Sequence, residues 1–563
     1  GRRAAVSAST AFLQEVEGPS RVCASFPGVR LDNGGGSSSA VLGLAGPQEC
    51  VETCRRLSNC SQLVYSAGNK GCYMFEHAKA ERYAKDDGSD LAQITSAFCT
   101  DGGSSSFRLE GLRAQLGQST ARQERAEVQR RWREAEQKAS ALIATMTQDA
   151  KLTFVRGAPG GLGYAGFLKP AGLPPSVMPL KMQDGPQGFN PYQVKLAGTA
   201  TQFPSLLSVA ASFDPQVAEE YAQAVADEFV TKGANVLLGP DVEVTRATLT
   251  GRCFETISGE DPFLGSQLVG PFVKAIQARG IIATVKHWLD NNQEIYRQTM
   301  TSVVAERTQH EVYMPVFKAA FEAGAGAVMC AYNKVNGHHA CENGHILTKL
   351  LREDLGFKGY VVSDWGATHN GERSANSGLD VEMPSSKYFA NLTDYIAAGS
   401  VKQEKLDQMV THVLSAMYFV GGMDGVFPAE KAGAWGHLPA TTDGHRATAL
   451  KTVLDSAVLL KNHDTLPLLP STKKIALIGG YCKHSNDKRF AQGSVYSSGG
   501  SGFVMTTRTI TPLEGLQEHY QADPSVEIVH STDTSAAAGA DVAVICAAAH
   551  SEEGWDRQNL SLP

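Results

Sequence analysis

The chain has 563 residues, 42% of them hydrophobic, with 56 glycines and a formal net charge of −7. That length corresponds to roughly three or four domains, and the composition is that of a globular protein able to bury large cores. A pI near 6.1 gives no basic footprint for nucleic acid, and the sequence holds no run of about 18 apolar residues that would span a membrane.

Residues 1–20 are expected to be a disordered leader; no signal peptide is visible, and Gly1 is followed by two arginines, as in a processed or trimmed chain. Six cysteines then crowd into the block 21–100: Cys23, Cys50, Cys54, Cys60, Cys72 and Cys99. An even set at this density predicts a disulfide framework and an oxidising compartment, and six cysteines allow fifteen pairings. A zinc site is the alternative, but paired C-x2-C knuckles are missing. Cys253, Cys330, Cys341, Cys482 and Cys546 are scattered; their number is odd, so at least one is free or pairs outside the chain. Asn59, Asn391 and Asn559 stand in N-x-[ST] sequons, which fits an extracellular or secretory-pathway location, at the cell surface or in a lysosome-like compartment.

Residues 101–138 begin with a Gly/Ser linker and continue into a stretch rich in Arg, Glu, Gln and Ala that runs to about Met146. Arg130, Arg131 and Arg133 alternate with Glu127, Glu134 and Glu136, which predicts a long helix facing solvent. From 139 to 434 the texture becomes strand, polar loop, helix, repeated. VMPLKM leads to Asp184, ANVLLGP to Pro240, and IIATVKHW to Lys286 and His287. AVMCAYN leads to Tyr332 and Asn333, YVVSDW to Asp364 and Trp365, and LDVEMP to Glu382. Near-continuous apolar strands of this kind imply a parallel sheet covered on both faces. Six such units predict a (β/α) TIM-like barrel, with a doubly wound open sheet as the alternative. Polar residues gather after the strands, where barrels keep their chemistry, so Asp364 in VVSDWGATHN is a candidate catalyst as well as a candidate cap or turn residue.

Residues 435–563 carry a second α/β pattern with strands in KIALIGG, VEIVH and DVAVICAAA. Three parallel strands would leave an unpaired edge. The expectation is therefore the N-terminal part of an α/β sandwich, completed by a C-terminal remainder or a second chain.

Nine stretches, in order, resemble the β-glucosidases of glycoside hydrolase family three: QDGPQG, GRCFE, KHWLDNNQE, MCAYNKVNG, SDWGA, GLDVEMP, VLLKN, TPLEGL and EEGWDR. The cysteine block resembles a PAN/apple module, which implies the pairs Cys23–Cys99, Cys50–Cys72 and Cys54–Cys60 and a protein or glycan ligand, with a stabilising appendage as the alternative. The first resemblance implies a retaining, exo-acting β-glucosidase that removes terminal β-D-glucosyl residues without metal or cofactor. That mechanism needs two carboxyl groups about 5–5.5 Å apart, one a nucleophile and one an acid/base.

The family's nucleophile falls on Asp364 and its acid/base, within S-x-E-G-x-D-R, on Glu553; the neighbouring Glu552 leaves a one-residue shift open. By the same match Asp184, Arg252, Lys286 and His287 would hold sugar hydroxyls. Trp365 would offer an apolar face, and Tyr332 would stand near the nucleophile or the ring oxygen. Lys286 and Arg252 are the cations expected to keep Asp364 ionised. Arg246 and Glu255 are read as an internal ion pair, Cys253 and Cys330 as structural, and Glu382, unusual for the family, as a residue that alters the pocket. A β-xylosidase or another β-glycosidase of the family is the nearest alternative. A non-catalytic surface or structural glycoprotein on the same scaffold is the other.

Overall fold

In the computed structural model the described residues are 105–161, 163–171, 177–425, 438–484, 495–496 and 498–562, together with the backbone of five strands between 21 and 101. The chain falls into two compact units, 1–124 and 125–563.

The first unit holds β1 (Arg21–Pro27), β2 (Ser38–Leu42), β3 (Gln62–Ser66), β4 (Gly71–Phe75) and β5 (Ile94–Asp101) in one sheet ordered β1-β5-β3-β4-β2. All its pairings are antiparallel, and the register sets Cys23 directly opposite Cys99. Cys72 lies on β4, while Cys50, Cys54, Cys60 and Asn59 lie outside the described residues.

The division between the units falls inside the helix Ser105–Ile143. Its second half corrects the expectation of a helix turned wholly to solvent. Arg130 does bond Glu127 and Glu134 on the exposed side, yet Trp132, Ala135, Ala139 and Ile143 are buried. Trp132 stacks on Phe419 with centroids 4.2 Å apart, and the Arg131 guanidinium lies 4.4 Å from the centroid of the same ring. An apolar residue every third or fourth position was enough to dock the helix, although charge dominates its composition.

The core of the second unit is a seven-stranded sheet. Its strands are β6 (Ala158–Gly161), β7 (Tyr164–Leu168), β8 (Leu180–Asp184), β9 (Val236–Leu238) and β10 (Ile282–Trp288). After the two-residue β11 (Thr301–Ser302) come β12 (Ala327–Cys330), the short β13 (Lys334–Val335) and β14 (His338–His339), and β15 (Tyr360–Ser363). β8, β9, β10, β12 and β15 run parallel, and every residue of each is buried, as near-continuous apolar strands require. β11, β13 and β14 form a small separate sheet.

The ring is not all-parallel. β6 and β7 make an antiparallel hairpin, and β7 is antiparallel to β8 as well. The Gly-rich stretch between β6 and β7 is far too short for the crossover that two parallel strands need. The expected sixth strand, LDVEMP, serves instead as a closing splice. Val381 bridges Val362, Glu382 bridges Arg156, and Gly157 donates its N–H to the Glu382 carbonyl at 3.0 Å. The sheet thereby curls back to its own beginning.

The covering helices start where the sequence says they should. Asp214 and Asp261 each precede a proline and accept the N–H two residues on, opening the helices Pro215–Lys232 and Pro262–Ala278. Gly233, at φ 70°, closes the first of these in the left-handed conformation that glycine adopts without strain.

Beyond the helix Asp443–Ser456, β16 (Lys474–Ile478), β17 (Glu527–Ser531) and β18 (Val542–Ile545) form a parallel sheet ordered β17-β16-β18, matching the three predicted strands. Cys482 and Cys546 are disulfide-bonded, as are Cys330, the last residue of β12, and Cys341; Cys253 is the free cysteine among the described residues. The segment 499–505 docks on the barrel. Gln187, Asn190 and Gln202 donate to the carbonyls of Gly502, Ser501 and Val504 at 2.8–2.9 Å, and Val504 joins the barrel core.

Candidate active site

At the carboxyl ends of the parallel strands lies a cavity of about 350 Å³. Its wall includes all eight residues singled out from the sequence: Asp184, Arg252, Lys286, His287, Tyr332, Asp364, Trp365 and, from the second α/β region, Glu553. Tyr192, Arg297, Ser501 and Trp555 also line it and escaped the sequence reading.

Asp364 follows directly on β15. Its own N–H donates to the Cys330 carbonyl of neighbouring β12 at 3.1 Å, and its Oδ1 accepts from Trp365 N–H at 2.7 Å. Oδ2 is buried and has no hydrogen-bond partner among the described residues. An orphaned carboxylate oxygen in a cavity wall is costly unless a ligand or a reaction uses it. His287 Nε2 stands 3.8 Å from that oxygen, and the Tyr332 hydroxyl, donating to the Trp365 carbonyl at 3.2 Å, lies against the same carboxylate.

The cations expected beside Asp364 face elsewhere. Lys286 Nζ is 3.5 Å from Asp184 Oδ1. Arg252 forks onto Glu255 at 2.9 and 2.7 Å and approaches Glu553 at 3.5 Å. Glu255 therefore belongs to Arg252 and not to Arg246, whose side chain bonds the Tyr313 hydroxyl. Glu382 lies outside the cavity wall; its carboxylate accepts the N–H groups of Tyr388 and Phe389 at 2.7–3.0 Å, so it shapes a turn and leaves the pocket unaltered.

Burial governs the titrating groups on the cavity floor. It pushes the Asp184 carboxyl up to about 6, against the pull of Lys286 and of the Tyr192 hydroxyl that donates to it. Burial, aided by Arg252 and Lys286, holds the His287 imidazole well below its usual range, hence neutral. With His287 Nδ1 3.2 Å from Asp241 Oδ2, the proton belongs on Nδ1, which leaves Nε2 as an acceptor toward the cavity.

Glu553 is held from both sides. Gly499 accepts its N–H at 3.2 Å, and Ser501 N–H donates to its Oε2 at 2.8 Å. From the barrel, Arg297 donates to its Oε1 at 2.9 Å while also bonding Glu294 at 2.8 Å and lying 4.4 Å from the centroid of the Tyr332 ring. Burial alone would raise the Glu553 carboxyl, but Arg252, Arg297 and Ser501 outweigh it and hold the group well below the carboxylate range. Glu552 is not in the cavity wall, so the geometry favours Glu553 over its neighbour. Arg297 had a faint sequence signal, lying three residues after the KHWLDNNQE stretch that carries Lys286 and His287.

Comparison with known proteins gives the chain a family. The "Glycosyl hydrolase family 3 N terminal domain" model matches residues 191–416, and the "Glycosyl hydrolase family 3 C-terminal domain" model matches 457–563. The chain belongs to glycosyl hydrolase family 3. A "PAN domain" model matches residues 23–99. Among curated relatives, the probable β-glucosidase L of Aspergillus fumigatus is 34% identical over 465 residues, 76% of this chain and 62% of that protein. The chain thus spans about three fifths of the length of such relatives. Among solved structures, β-glucosidase D2-BGL of Chaetomella Raphigera superposes with a TM-score of 0.70 at 32% identity, covering 77% of this chain and 64% of that one. Thermotoga neapolitana β-glucosidase 3B, solved in complex with α-D-glucose, gives a TM-score of 0.65 at 26% identity over 75% of this chain and 64% of that one.

Proposed function

We propose that this chain carries the catalytic centre of a retaining, exo-acting β-glucosidase. The observation that carries the reading is the pair of carboxylates, Asp364 and Glu553, that reach one cavity from two different α/β regions, the first with an unbonded, buried oxygen. A closed polar floor supports exo action: Asp184, Lys286 and His287 are 6%, 2% and 2% exposed, a setting for one sugar's hydroxyls and no continuing chain.

In the first step an Asp364 oxygen attacks the anomeric carbon and the bond to the leaving oxygen breaks, that oxygen taking a proton from Glu553. In the second, water attacks the same carbon, Glu553 takes its proton, and the bond to Asp364 breaks. Glu553 starts in the wrong form for the first step, because Arg297 and Arg252 keep it ionised. A leaving group entering between Arg297 and Glu553 would replace that ion pair and return the proton affinity the step needs. Trp365, fixed by its indole N–H on the Ala165 carbonyl at 3.1 Å, supplies an apolar sugar platform.

An extracellular or secretory-pathway site is supported by the two disulfides, by the cysteine-dense first unit and by Asn391 and Asn559, both exposed. Among the described residues, no helix is long and apolar enough to cross a membrane. A panel of aryl β-glycosides tests the reading. The glucoside should be cleaved fastest, and Asp364→Ala should abolish the cleavage. Faster cleavage of the xyloside would favour the β-xylosidase alternative, and equal inertness of parent and variant on every glycoside would leave the non-catalytic glycoprotein.

A further inference from the structure

The loop that presents Glu553 is gripped from the barrel by bonds that touch neither the Glu553 carboxylate nor the cavity. Asp556 Oδ1 accepts the backbone N–H of Gly251 at 3.2 Å and of Glu294 at 3.0 Å; Oδ2 accepts those of Glu294 at 3.2 Å and Ile295 at 2.9 Å. The grip is reciprocal. Glu294 Oε2 accepts Gly554 N–H at 2.8 Å, and Arg557 N–H donates to the Leu249 carbonyl at 2.8 Å. The two barrel loops tied in this way are those that bear Arg252 and Arg297, the guanidiniums facing Glu553.

The fit leaves no slack. A methyl group placed on Gly251 would lie 1.7 Å from the Trp555 carbonyl oxygen and 2.3 Å from that of Glu552. Bonds from N–H groups to a carboxylate are among the stronger ones, and here one side chain gathers three backbone donors from two loops. Contacts between domains otherwise tend to allow relative motion, while a misplacement of about 1 Å in a reacting group can cost about a hundredfold in rate.

Resting on the reading of Glu553 as the acid/base, we infer that Asp556 is a positioning residue that docks the acid/base loop on the barrel and so sets the protonation of the leaving group. Asp556 itself does not touch the substrate. Asp364, directly after β15, does not depend on this clasp, so its attack should survive the loss of it.

The test is Asp556→Asn in the intact protein, where the new amide N–H groups face the backbone donors. Two substrates are compared: cellobiose, whose leaving oxygen must be protonated, and 2,4-dinitrophenyl β-glucoside, whose leaving group departs as an anion. The expected result is a loss in kcat/KM of about a hundredfold or more on cellobiose, the scale of general acid catalysis. The loss on the dinitrophenyl glucoside should stay within about tenfold, with azide accelerating its turnover as it relieves the need for the base. Equal losses on both substrates, or no loss on either, would overturn the inference. Should Asp556→Asn not fold, Gly251→Ala displaces the same loop from the barrel side and is expected to show the same dependence on leaving group. If both variants unfold, the contact serves the fold alone and the inference fails. A parent protein inert on both glucosides would instead defeat the β-glucosidase reading.

Discussion

Replacing Arg297 by methionine removes one of two cations from Glu553 while keeping most of the side-chain volume over Tyr332. At the 2.9 Å separation of Arg297 Nη2 and Glu553 Oε1, and an effective dielectric of about 20, the Coulomb attraction is about 6 kcal/mol before desolvation is charged against it. Desolvation cancels much of that, and an arginine beside a carboxylate usually lowers its pKa by about 1–3 units. Arg252 remains at 3.5 Å, so Glu553 should rise while still facing one cation. The sign follows from the first chemical step, which needs Glu553 protonated. Raising its proton affinity extends activity to higher pH. Initial rates on an aryl glucoside across pH should show the alkaline limb of kcat/KM, which reports the free enzyme, moving upward. An alkaline limb that stays in place or moves down, with rates otherwise retained, would refute the assignment of Arg297 and Glu553 to one electrostatic pair.

Two further predictions concern the cavity floor and the disulfides. Asp184, pushed up to about 6 by burial, receives Lys286 and the Tyr192 hydroxyl, so Asp184→Asn should lose about 10²–10³-fold in kcat/KM, the worth of two charged hydrogen bonds. A variant that keeps the parent's kcat/KM would exclude Asp184 from the sugar site. The Cys482–Cys546 bridge spans 64 residues and Cys330–Cys341 spans 11, so loop-closure entropy assigns about 4 and 3 kcal/mol to them. Denaturant unfolding of the two double-serine variants should therefore rank the first as the more damaged, and the reverse order would contradict the entropic account.

Much of this layout was readable because strands buried on both faces leave long apolar runs, and the polar residue that ends each run is conspicuous. Asp184, Lys286, His287 and Asp364 were found that way, and β16–β18 likewise. What sequence could not supply was which charge faces which. Lys286 and Arg252 were assigned to Asp364 by type, but side chains from separate loops choose partners by distance, and their carboxylates proved to be Asp184 and Glu553. Arg297 was passed over for the same reason: it stands close to KHWLDNNQE, but on a polar loop where arginine is unremarkable. The Cys330–Cys341 pair was missed because two lone cysteines carry no spacing signal. The hairpin of β6 and β7 was missed although its Gly-rich turn was in view, because the expectation of an all-parallel ring overrode the local signal.

The central claim is that Asp364 forms the bond to the sugar. Incubation with a 2-deoxy-2-fluoro-β-glucosyl fluoride, followed by proteolysis and mass spectrometry, should locate a glycosyl ester on the peptide containing Val361–Asn370, at Asp364. An adduct on any other residue, or an active protein that accumulates no adduct under conditions where the reagent inactivates it, would contradict the account.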